Sequence, residues 1–370
     1  EMGGARRLHL GHLLAVCAEA AEVAGRHVRE VWRAGGGAAA VAKNKDSGGG
    51  FDPCTAADLR AQATIFNHLL AVWPGLNVVG EEEAEDVLGE AGSMPAATSV
   101  EAVGASIEEG GKDSATGAAF AAVSGHMAEL DITRIRVFVD PLDGTTEYTK
   151  GRLEAVTSLI GISYDGRPIA GVLHQPFADA GQSLPCALLS ERPGDDEEGE
   201  ARQRLLEKAS RGHSVLAIVG AGVFGLDLVP ILHRRVAPLS EFVVTTTRSH
   251  ASRAVLQYLQ RLDADHIERV GGSGYKALRV AGGLADVFTL PNPHTSLWDT
   301  CAPEAMMVAM GGSLTDCNGE LIDYSRPLLQ PEDAKNKAGI LAALQADTHQ
   351  RVLKQLDYSR DVPANDINKS

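Results

Sequence analysis

An apolar stretch, residues 135–139, runs directly into Asp140-Pro141-Leu142-Asp143-Gly144-Thr145-Thr146-Glu147. Such a run reads as a strand, and its end carries two carboxylates three residues apart, followed by Gly and a hydroxyl. Asp oxygens suit hard cations such as Mg²⁺, which keep several waters and share their sphere with a substrate phosphate. The first expectation is therefore metal-assisted phosphate chemistry. Standing alone, an Asp-x-x-Asp also reads as a surface turn whose acids cap the next helix.

Three further segments bear on that choice. Gly80-Glu81-Glu82-Glu83 follows Val78-Val79 and puts carboxylates at a second strand end. Trp298-Asp299-Thr300-Cys301-Ala302-Pro303-Glu304 puts an acid just ahead of a helix expected over 302–310. Asp52-Pro53-Cys54-Thr55-Ala56-Ala57-Asp58 opens a helix expected over 59–73, closed by Pro74-Gly75. Ionised acids drawn together from several segments repel one another, so such a cluster is more plausible as a metal site than as an empty acidic patch. The backbone amides from Gly144 through Thr146 could cradle phosphate oxygens where the chain turns into a helix, and Gly144 allows close approach.

In order and with family-like separations, these segments resemble the signatures of the inositol monophosphatase-like superfamily of Mg²⁺-dependent, lithium-sensitive phosphatases. The signatures read Asp-x-x-Thr-x-x-Asp, Gly-Glu-Glu, Asp-Pro-Leu/Ile-Asp-Gly/Ser-Thr and Trp-Asp, and the likeness runs from about Val41 to the end. It implies an α/β fold layered as an α/β/α/β/α sandwich of the inositol monophosphatase and fructose-1,6-bisphosphatase type. It implies metal ligation by Glu81, Asp140, Asp143, Asp299 and the carbonyl of Leu142, with two or three Mg²⁺ ions and inhibition by Li⁺. Asp58 and Thr145 correspond to the pair that orients the attacking water, and Glu82 to a supporting acid. An N-terminal α+β half, 1–176, is expected to carry most metal ligands. A C-terminal α/β half, 177–370, is expected to carry Asp299 and the substrate segments.

Val244-Thr245-Thr246-Thr247-Arg248-Ser249-His250 and Val270-Gly271-Gly272-Ser273-Gly274-Tyr275-Lys276 are similar to the adenine-nucleotide contact segments of the 3′(2′),5′-bisphosphate nucleotidases. That likeness implies removal of the 3′-phosphate from adenosine 3′,5′-bisphosphate, giving AMP and phosphate, with 3′-phosphoadenylyl sulfate as a further substrate. Substrate contacts are then expected from Gly144, Thr145, Thr247, His250, Gly272, Ser273 and Lys276. Arg248 reads equally as a surface ion-pair partner and is not assigned. Ala56-Ala57 stands where Lys-Ala is usual, residues 178–241 differ from compact relatives, and His294-Thr295-Ser296 precedes Trp-Asp; these departures bear on selectivity. The alternatives are an inositol polyphosphate 1-phosphatase, a non-catalytic protein that senses nucleotide or metal, and, less favoured, a fructose-1,6-bisphosphatase.

A chain of 370 residues with 44% hydrophobic content is long enough for a large core. Its net charge of −15 argues against nucleic acid or a membrane surface as partner and leaves a small phosphorylated molecule, drawn by bound cations. The oligomeric state is not written in the pattern. Five cysteines at irregular spacing, with no Cys-x-x-Cys, read as reduced thiols. No apolar run approaches the roughly 18 residues a spanning helix needs. A cytoplasmic location is expected, with an organelle as the alternative if a targeting segment has been removed. Residues 84–133 and 179–212 read as insertions, the second holding the acidic run 195–198. From 242 to 316, short strands and helices alternate, the pattern of helices packed on a sheet.

Overall fold

A computed structural model of the chain describes residues 7–35, 41–44, 53–83, 129–178, 212–225, 241–248 and 253–356. In chain order the elements are β1 (Arg7–His9), α1 (Leu10–Gly35), β2 (Val41–Asn44), β3 (Pro53–Thr55), α2 (Ala56–Val72), β4 (Asn77–Gly80), β5 (Glu129–Asp131), β6 (Ile135–Asp143), a short helix α3 (Thr145–Thr149), β7 (Thr157–Tyr164), β8 (Arg167–Gln175), β9 (His213–Ile218) and β10 (Gly222–Gly225). They continue with β11 (Val243–Thr247), α4 (Arg253–Arg261), β12 (His266–Val270), α5 (Ser273–Ala281), β13 (Val287–Leu290), α6 (Leu297–Ala309), β14 (Ser313–Thr315), β15 (Ile340–Ala343) and α7 (Ala346–Gln355).

Two sheets organise these elements. One runs β10-β9-β8-β7-β6-β4, and the other runs β12-β11-β13-β15-β14. In the first, only the β4–β6 pair is parallel. Helices α1 and α2 cover one face of it. Leu13, Ala20, Ala24 and Val28 of α1 recur at helical spacing and pack with Val137, Val139, Ile160, Ile162 and Val172. The other face meets α5 and α6, where Phe138, Leu159 and Leu173 join Leu278, Ala302, Met306, Phe288 and Leu314 of the second sheet's side. Beyond the second sheet lie α4 and α7, through Val255, Tyr258, Leu259 and Val352 against Val244, Val287 and Leu341. The layers are α/β/α/β/α, as the resemblance implied.

Several expectations need correction. The division at residue 176 falls inside the first sheet, because β9 and β10 return to pair beside β8. The His174 Nδ1 and Ser214 Oγ atoms lie 2.7 Å apart across that ladder. Helix α2 starts at Ala56 and α6 at Leu297, both ahead of the expected starts. In each the third helical residue is an Asp that accepts from the backbone N–H of the N-cap, which begins the helix early. Pro303 consequently lies inside α6. Ahead of α2, β2 and β3 pair as an antiparallel ribbon. Most of the two insertions, 84–128 and 179–211, lies outside the described residues, as does the acidic run 195–198. Among the described residues, no helix is long and apolar enough to cross a membrane.

Candidate metal and phosphate site

Parallel pairing of β4 with β6 brings two acidic segments together. Gly80 is in register with Val139, and Glu81 N–H donates to the Val139 carbonyl at 3.1 Å. Glu81 therefore emerges beside Asp140, and its charge is the largest neighbouring influence on that carboxyl after burial.

A local irregularity sets Asp143. Asp140 pairs with Leu159 and Asp143 with Thr157, so β6 spends one residue more than β7 over this interval. In a regular strand, residues three apart point to opposite faces; one extra residue restores them to the same face. Pro141, which has no N–H for a ladder, occupies the bulge.

Asp299 arrives from the first turn of α6. One oxygen each from Asp140, Asp143 and Asp299 lies within 4.8 Å of the others. Burial, and then the neighbouring charges of Glu81, Asp143 and Asp299, pushes the Asp140 carboxyl well above the usual range. Asp299 is pushed up in the same way, by burial and then by Asp143 and Glu81. Asp143 is raised by burial and partly restored by Lys276 and by three hydrogen bonds. Those bonds come from Ser273 N–H at 2.7 Å, Gly274 N–H at 2.7 Å and the Thr157 hydroxyl at 2.6 Å. The α5 N-terminus thus holds Asp143 against its neighbours' repulsion.

Next to the cup, the Thr145 hydroxyl lies 3.0 Å from Asp58 Oδ1 and 3.0 Å from the Leu142 carbonyl. Asp58 is buried, and its other oxygen accepts from the Thr55 N–H at 2.7 Å and hydroxyl at 2.6 Å. Gly144 has φ 88° and Gly272 φ 71°, a region closed to most side chains. A Cβ on Gly272 would sit 2.6 Å from the Ala155 carbonyl oxygen and 3.1 Å from Asp143 Oδ2. The two glycine turns meet over the acids with no room for side chains between them.

The expected substrate residues fall in different places. Thr247 ends β11 in register with Val270, just before the Gly271-Gly272 turn. The Ser273 amide is committed to Asp143. Lys276 is buried, and its Nζ donates to the Gly272 carbonyl at 2.6 Å; burial pulls it down to about 8 against the attraction of Asp143 and Asp299. It lies under the turn, not at an open rim. His250 lies outside the described residues. Glu82 is buried and Glu83 exposed. Arg248 takes up the ion pair left open for it, with Nη1 3.0 Å from Glu147 Oε2. Arg152 binds the same carboxylate. Sequence reasoning missed Thr157 and Glu147. Thr157 becomes visible only through its register with Asp143. Glu147 stood in the leading motif with no role attached.

The donor set fits a divalent cation. All three clustered side chains offer hard carboxylate oxygens, and without a cation the cup must take up protons instead.

A layered sandwich with carboxylates converging between its sheets, beside an Asp–Thr pair, defines a class of phosphomonoester hydrolases. The chain belongs to the inositol monophosphatase family, whose profile matches residues 9–360. It is 32% identical over 353 residues to a 3′(2′),5′-bisphosphate nucleotidase 1 of Dictyostelium discoideum, covering 95% of this chain and 98% of the relative. It is 27% identical over 369 residues to an inositol monophosphatase 3 of Danio rerio, covering 96% and 87%. The fold is that of the extragenic suppressor protein suhB from Bartonella henselae, with a TM-score of 0.59 at 21% identity over 93% of this chain and 98% of that one.

Proposed function

We propose that this phosphatase removes the 3′-phosphate of adenosine 3′,5′-bisphosphate in a Mg²⁺-dependent reaction, giving AMP and phosphate, and also accepts 3′-phosphoadenylyl sulfate. The observation that carries the hydrolytic part is the convergence of Asp140, Asp143 and Asp299 beside the Asp58–Thr145 hydrogen bond. The nucleotide part is supported by the relative named as a bisphosphate nucleotidase, which this chain matches over nearly its whole length.

In this reading Glu81, Asp140, Asp143, Asp299 and the Leu142 carbonyl hold two or three Mg²⁺ ions. When bound, the ions supply charge that activates water near neutral pH and stabilises the leaving oxygen. Asp58 engages the Thr145 proton, so the Thr145 oxygen is oriented to accept a hydrogen bond from the attacking water. The amides of the Gly144 turn receive phosphate oxygens. Thr247, His250, Gly272 and Ser273 meet the nucleotide. Lys276, held on the Gly272 carbonyl, steadies Asp143 and Asp299 and reaches a phosphate only by leaving that bond.

The decisive experiment is phosphate release with Mg²⁺, measured side by side on adenosine 3′,5′-bisphosphate and inositol 1,4-bisphosphate. A relative named inositol monophosphatase 3 gives the inositol reading its support. A preference of about tenfold or more for the inositol ester, equivalent to about 1.4 kcal/mol, reverses the ranking. No turnover on either, with nucleotide binding intact, leaves a sensor as the function.

A further inference from the structure

Gln62 lies on α2, four residues after Asp58, and is 1% exposed. Its carboxamide makes two bonds to one residue: Nε2 donates to the Glu82 carbonyl at 2.7 Å, and Glu82 N–H donates to Oε1 at 2.9 Å. This is the pair of bonds an adjacent strand would offer. Among the described residues, β4 is the edge strand of its sheet, with β6 as its one strand neighbour. Consecutive peptide groups along an extended chain face opposite edges. Glu81 N–H faces β6 and binds the Val139 carbonyl, while the N–H and carbonyl of Glu82 face the other way and bind Gln62. The backbone around Glu81 is thus held from both sides after β4 has ended. Gly80 leaves room for this grip, since a Cβ there would lie 2.4 Å from Gln62 Oε1.

We propose that Gln62 is a positioning residue for Glu81: a buried side-chain amide gives the Glu82 backbone the two bonds a neighbouring strand would offer and so sets where the Glu81 carboxylate sits beside Asp140. Helix α2 then serves the site twice, through Asp58 toward the Thr145 hydroxyl and through Gln62 toward the metal cup. The inference rests on the metal reading of the site. It predicts a loss in cation affinity, because a ligand that must be ordered at the moment of binding binds more weakly than one already in place.

The test uses the whole chain and Mn²⁺ as the probe ion, with free Mn²⁺ followed by electron paramagnetic resonance. Gln62→Met keeps length and burial and removes both bonds. Expected are a Mn²⁺ dissociation constant and a Mg²⁺ half-saturation each raised about tenfold. The nucleotide KM should stay within about twofold, and kcat should largely recover at saturating Mg²⁺. Gln62→Glu, which keeps the acceptor and loses the donor to the Glu82 carbonyl, should shift Mn²⁺ binding in the same direction. If Gln62→Met does not fold, Gly80→Ala, which displaces the amide, takes its place with the same expectation. Unchanged Mn²⁺ binding alongside a lowered melting temperature or lowered kcat would overturn the proposal and leave Gln62 a packing residue. Absence of Mn²⁺ binding in the parent chain would instead sink the metal reading itself, a different failure.

Discussion

Replacing Gly161 by Ala tests how Asp299 is delivered to the cup. Gly161 of β7 faces Gly171 of β8 across the ladder, and together they leave a flat patch where α6 lies directly on the sheet. A Cβ on Gly161 would fall 2.4 Å from Cys301 Cβ and 2.6 Å from Ala302 N. Non-bonded carbons settle near about 3.5–4.0 Å, so the helix must retreat by about 1 Å or more. The clash is with the α6 backbone itself, which no rotamer change relieves. Overpacking of this kind costs about 1–3 kcal/mol of stability. The site should suffer more than the fold: Asp299 lies two residues before Cys301, and a displacement of about 1 Å can cost about 100-fold in rate. The assay is phosphate release across a Mg²⁺ titration, paired with thermal melting. Expected is a folded protein with a higher Mg²⁺ half-saturation and kcat lowered by about two orders of magnitude. Parent-like Mg²⁺ dependence and kcat would refute the argument that this contact sets the position of Asp299.

Asp143→Asn should leave a folded protein and lower turnover by at least about 1,000-fold, about 4 kcal/mol, in a phosphate-release assay; near-parent turnover removes Asp143 from the cation site. Thr145→Val should lower kcat by about 100-fold while Mg²⁺ half-saturation stays close to the parent's, since in the proposed reaction the hydroxyl acts on water and not on the ions. Chelation should abolish activity, added Mg²⁺ should restore it, and Li⁺ should inhibit; full activity in excess Li⁺ speaks against the ligand set. Burial pushes the Glu304 carboxyl up to about 7, outweighing Arg167 and the Tyr324 hydroxyl, which donates at 2.8 Å. In the unfolded chain this acid titrates near about 4.3, so between there and about 7 the native state binds the additional proton, and its contribution to stability falls as pH rises through that window. Denaturant unfolding of Glu304→Gln at pH values from about 5 to 8 should show a decline shallower than the parent's by up to about 3 kcal/mol; equal slopes refute the assignment.

Much of the candidate site is legible in the sequence. The acids at 58, 81, 140, 143 and 299 stand at recognisable element ends, and local hydrophobic periodicity marks the strands and helices that carry them. Helix starts were misplaced because the capping boxes at Thr55 and Ser296 use the acids themselves. Asp58 and Asp299 cap helices while standing in the candidate site, so the two readings of such acids are not exclusive here.

Other features had no local signature. The bulge at Pro141 that turns Asp140 and Asp143 to one face exists only in the pairing of β6 with β7. Thr157 becomes a donor to Asp143, and Gln62 a substitute strand for Glu82, through contacts across the fold. The grip of the α5 amides on Asp143 spans 130 residues of chain. The chain alone determined which residue types stand at which strand and helix ends, because those follow from interactions among near neighbours. Only the tertiary structure decided which side chains share a cup and what holds them there, because register, close approach and charge repulsion act between segments whose separation along the chain says nothing of their distance in space.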